Sequence, residues 1–130
     1  PSLQPQEQNL AEQLKLQESK TMKNEHDLAY DRISREDIAK DTARYLSVEY
    51  DKVLAYLEAN DPAEADKLKA DNETLNFKEL KNTDFNSFTD DQLTQFLNTA
   101  GNHSKNFMAV KTKISEQQFA DRLGDLENKN

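Results

Sequence analysis

The 130-residue chain carries 25 acidic and 17 basic residues, a net charge of −8, and has no cysteine. Disulfides and thiolate chemistry are thereby excluded, and the acidity argues against duplex DNA or an anionic membrane as partner, where a basic face supplies most of the affinity. Only 2 glycines and 3 prolines occur, and alternating apolar runs are nearly absent, so the composition predicts an all-α protein, a bundle of four to five short helices.

The first 27 residues hold few large apolar side chains and are marked by Gln4, Gln6, Gln8, Gln13 and Gln17. They read as a flexible or partly helical arm, set off from a helical domain over 28–130. Leu10, Leu14 and Leu28 follow a loose heptad, with Gln17, Thr21 and Asn24 between them, a seam too polar for a coiled coil. The later part of the arm, near Leu28 and Tyr30, is expected to dock on the domain. The chain begins with Pro1, which fits a removed initiator, signal peptide or lipoprotein leader as well as a cut within a longer chain.

Three stretches then echo one another: ISREDIA (33–39), FTDDQLT (88–94) and ISEQQFA (114–120). Each has an apolar residue, a hydroxyl (Ser34, Thr89, Ser115), a polar residue three positions later (Asp37, Gln92, Gln118) and an apolar residue after that. This is the grammar of a helix start, with a capping box and a hydrophobic staple around it. First-turn acids complement the helix dipole. The echo therefore predicts three helix starts and requires no duplication.

The strongest element is expected over 35–59. Ile38, Tyr45, Leu46, Tyr50, Val53, Leu54, Tyr56 and Leu57 cover half its circumference, and Lys40, Asp41, Arg44, Ser47 and Asp51 fill much of the other half. Asp61 and Pro62 then restart the chain in a helix to about Ala70. Leu75, Phe77, Leu80, Phe85 and Phe88 pin an irregular stretch to the core. Thr89 opens a helix that places Leu93, Phe96 and Leu97 inward, with Gly101 as its stop. Ser104 is expected to cap a short helix, with a strand over Val110–Ile114 as the alternative. The last helix, from Glu116 to Leu126, buries Phe119, Leu123 and Leu126, and 127–130 fray.

The chemistry is sparse. His26 and His103 stand outside any metal-ligand spacing and read as surface residues. The stretch 84–95 starts like a calcium loop but puts Thr89 where glycine is needed and Gln95 where a bidentate glutamate belongs. No G-x-S-x-G or phosphate-binding loop occurs, so neither a metal nor a cofactor is expected and the chain is read as no enzyme. Glu49 projects into the apolar arc between Ile38 and Val53, where burial would raise its pKa and suit it to acid–base work or to a partner.

Tyr45, Tyr50 and Tyr56 suit an interface, and Phe107 and Met108 lie in the lysine-edged run SKNFMAVKTK. These six residues, Glu49 included, are the candidate binding set. The function this favours is a non-enzymatic protein–protein interaction module of a bacterial cell envelope, periplasmic, surface-exposed or secreted, touching membrane only through a removed leader or lipid anchor and binding no nucleic acid. The alternatives are a small acidic cytoplasmic binder of immunity or antitoxin type that masks a basic partner, and a ligand-binding or enzymatic domain built on Glu49.

Overall fold

Pro62 has no N–H to donate and restricts the residue before it, so helix cannot pass through Asp61. In the computed structural model, which describes residues 5–128 (side chains from Glu7), this is the first place where helix stops. Helix α1 spans Pro5–Asn60 and α2 spans Pro62–Leu75. The Asp61 carboxylate accepts from the Glu64 N–H at 3.3 Å, the N-cap read from the sequence. Two short 3₁₀ helices follow, Phe77–Asn82 and Phe85–Ser87, and α3 spans Asp90–Asn128. The protein is all-α, with no strand among the described residues.

The expected count of four to five short helices is corrected to three, two of them long. Of the three echoed starts only Thr89 is one: its N–H donates to Gln92 Oε1 at 2.9 Å and its Oγ1 accepts from the Gln92 N–H at 3.1 Å. Ser34 and Ser115 lie inside α1 and α3, as do Gly101, Ser104 and the Val110–Ile114 segment that was to be stop, cap or strand. The physical difference lies upstream. A capping box permits a start but does not compel one, and the turns before Ser34 and Ser115 are already helical. Gly101 is carried at the usual cost of about 1 kcal/mol. Before Thr89, by contrast, the chain is extended at Phe88 (φ −75°, ψ 142°). The fraying expected at 129 and 130 lies outside the described residues; Glu127 and Asn128 are helical.

The chain divides into two units, 1–35 and 36–130. In the first, the described residues are helical rather than frayed, and Leu28 and Tyr30 are exposed rather than docked. The second is an up-down-up bundle. Pairs Lys69–Glu58 (3.2 Å), Lys78–Asp51 (3.0 Å) and Lys81–Ser47 (3.0 Å) descend α1 as they ascend in number, so the return arm runs antiparallel to α1. Phe107 then meets Phe77 beside Tyr50, and Lys111 meets Glu49.

Ala39, Ala43, Leu46, Tyr50 and Val53 are the buried ladder of α1, spaced three and four apart. The two alanines let neighbours approach closely and were not among the apolar residues that drew the expected stripe. Ile38, expected inward, is exposed, and Ser47, assigned to the polar half, is buried. Its hydroxyl donates to the Phe77 carbonyl at 2.7 Å and accepts from the Lys81 N–H at 3.0 Å. Phe77, Leu80 and Phe85 fill the core as the sequence indicated. Phe119, Leu123 and Leu126 do not: α3 outruns the bundle and they are exposed.

Thr89→Ala is expected to cost about 1 kcal/mol in urea denaturation, whereas Ser115→Ala, deep inside a helix, is expected to change stability by under about 0.5 kcal/mol. Ser47→Val is expected to cost about 1–3 kcal/mol in the same assay, because the buried Phe77 carbonyl and the part-buried Lys81 N–H lose their partner at once.

Candidate functional site

About 100° round α1 from the core ladder, Tyr45 and Glu49 occupy one face, one turn apart, both half-buried. Glu49 sits there because α3 passes alongside: Lys111 Nζ lies 2.9 Å from Glu49 Oε2, with the side chains 30% and 19% exposed respectively. The hydrogen bond to the carboxylate holds the Lys111 ammonium above the ordinary lysine range, with partial burial opposing it. Burial raises the Tyr45 phenol, and the Glu49 charge raises it further while Lys111 offsets part of the effect. Asp41, Arg44, Tyr45, Val48 and Glu49 line a shallow surface depression here. The arrangement can accept a hydrogen bond at the tyrosine hydroxyl or exchange an ion pair. It offers no free carboxylate.

The candidate binding residues separate in space. Tyr45 and Glu49 come together. Tyr50 and Phe107 are buried in the core on two sides of Phe77, with ring centroids at 5.3 and 5.5 Å. Both are packing residues, since the tyrosine face that was to meet a partner meets Phe77 instead. Burial also raises the Tyr50 phenol. Tyr56 is half-buried against the core, and Met108 is exposed. His103 is half-buried rather than superficial, edge-on to Phe77 at 5.1 Å.

Two features escaped the sequence reading. Lys111 was legible only as one lysine of a basic run, because nothing local reveals its partner 62 positions away in number. A cleft of about 500 Å³ opens between α1, α2 and α3, floored by Val53, Leu57, Leu68 and Phe107 and rimmed by charged groups including Asp61, Glu64 and Lys113. Its floor is largely buried already, which leaves little apolar area for a ligand. Among the described residues no group of three or more His, Asp or Glu is placed to hold a metal. No helix of the described residues is long and apolar enough to cross a membrane.

No protein family, curated protein or solved structure matches the chain.

The raised lysine and phenols set the alkaline behaviour. A raised pKa on folding stabilises below the unfolded values, about 10 for both types, and that stabilisation is lost as pH climbs through the folded values. Lys111→Met is expected to destabilise by about 1 kcal/mol at neutral pH. In chemical denaturation across pH the gap to the unsubstituted protein should hold to about pH 10 and close above it.

Proposed function

We propose that the chain is a non-enzymatic protein–protein interaction module. The observation that carries this reading is the series Leu10, Leu14, Leu16, Met22, Leu28, Tyr30 and Ile33, all exposed along one stretch of helix. Single exposed apolar residues are ordinary, but Leu10, Leu14 and Leu28 fall within about 40° of one another on the helix, a stripe that gains by being covered. Helix without tertiary burial is marginal in water, and a partner supplies the burial that propensity alone lacks. Tyr45, with Glu49 beside it, adds a polar anchor on the second unit.

Placement in a bacterial envelope or among secreted proteins is part of the proposal. It rests on a cysteine-free composition compatible with that compartment. The reading built on Glu49 as an acid, base or ligand has less support, since Lys111 already engages its carboxylate. An acidic binder of immunity or antitoxin type needs its acids gathered on one face, and they are spread along the chain.

The test is site-directed photocrosslinking from positions 14 and 28 in envelope and soluble fractions of the source organism. One defined adduct is expected from both positions. The double substitution Leu14→Glu, Leu28→Glu is expected to weaken capture of that protein at least about tenfold, with the thermal transition of the chain unchanged. Capture that survives the double substitution would move binding to the 36–130 unit. Capture lost instead with Glu49→Gln would favour the Glu49 reading.

A further inference from the structure

The part of α3 that outruns the bundle carries a second apolar stripe. Leu93, Ala100, Phe107 and Val110 define the buried side of α3. Met108, Phe119, Leu123 and Leu126 are 54, 64, 45 and 61% exposed. At about 100° per residue these four fall within about 60° of one another, roughly 120° round from the buried side. Thr112 belongs to the same stripe, and its hydroxyl donates to the Met108 carbonyl at 3.1 Å, which satisfies its polar group internally.

We propose that this stripe pairs in parallel with the same stripe of a second copy of the chain. The inference rests on the reading of the chain as an interaction module and names one of its partners. Thr112, Phe119 and Leu126 recur at heptad spacing, with Leu123 between the last two, so they take the d and a positions of a two-stranded coiled coil. In this register Ile114 takes position f, opposite the seam, and it is Ile114 that packs against the core. The seam therefore faces away from the bundle, and two bundles can stand outside it. Asp121 and Asp125 take f and c, clear of the contact.

The flanking charges are complementary to those of a second copy in one orientation. Arg122 falls at g and Glu127 at e of the following heptad. In a parallel pair, g of one helix faces that e of the other, so Arg122 of each copy meets Glu127 of its mate on both sides of the seam. In an antiparallel pair like flanks meet, and arginine would face arginine and glutamate face glutamate. The stem of Lys113, at e, lies over Met108 at g in the same parallel arrangement. Of the other a positions, Ala109 adds a small apolar layer, and Glu116 meets its own copy, an unfavourable layer. The contact runs only from about Met108 to Glu127, so the pairing is of the weak, transient class.

Sedimentation equilibrium of the purified full chain, from about 10 μM to about 1 mM, is the test. A monomer–dimer equilibrium is expected. Glu116→Leu, which replaces the repelling layer with an apolar one, should tighten it at least about tenfold, a gain that no misfolding can imitate. Leu123→Glu should leave a monomer with unchanged helicity by circular dichroism. Arg122→Glu should weaken the dimer, and adding Glu127→Arg should restore it. A monomer at every concentration, even with Glu116→Leu, would overturn the proposal and assign the stripe to a partner of different sequence. Failure of the charge swap to restore pairing would overturn the parallel register. Neither result touches the Leu14 and Leu28 crosslinking, so the dimer can fail while the module reading stands.

Discussion

Phe77 holds the bundle together. Its ring stacks on Tyr50 of α1 and meets His103 and Phe107 of α3, so one side chain on the connecting segment touches both long helices. Its position is fixed through the backbone. Asn72 Oδ1 accepts from the Phe77 N–H at 2.9 Å, and Ser47 Oγ donates to the Phe77 carbonyl. Asn76 turns the chain between them in the left-handed region at φ 50°, a conformation that asparagine tolerates better than other residues with a side chain. Both polar groups of the Phe77 backbone are satisfied by side chains, and a buried 3₁₀ turn becomes affordable.

The sequence showed most of what depends on local chemistry. Asp61–Pro62 was readable because a cap is joined to a proline that breaks the preceding helix, and Thr89–Gln92 because both halves of a reciprocal capping box lie three residues apart. The aromatic residues from Phe77 to Phe88 were readable as core because large apolar side chains in an irregular stretch have nowhere else to go. What failed was of another kind. Ser34 and Ser115 satisfy the local pattern of a cap, but whether a helix stops before them depends on the preceding turns. Ser47 looks polar and exposed on a wheel, and only the Phe77 and Lys81 backbone groups, some thirty residues away, explain its burial.

The candidate site divides along the same line. Glu49 was identifiable from its angle on α1, and its neighbour Tyr45 from sharing that face. The partner that sets its chemistry, Lys111, is not local, and it turns a prospective reactive carboxylate into half of an ion pair. Tyr50 and Phe107 show the opposite error. Aromatic residues suited to an interface were taken by the core, because a small bundle with few large apolar residues uses its tyrosines for packing.

The overhang of α3 past Ile114 has an energetic meaning of its own. Every backbone hydrogen bond in 115–128 is made within the helix, while no described side chain there is buried. Amides in such a segment open by local fraying rather than by global unfolding of the bundle, so their exchange with solvent deuterium reports the local helix–coil equilibrium and whatever covers the stripe. Amides over 93–110, roofed by Phe77 and the α1 ladder, open only when the bundle does. One continuous helix thus contains two stabilities, and the boundary between them lies where the core runs out, at Ile114, and not at any residue that the backbone marks.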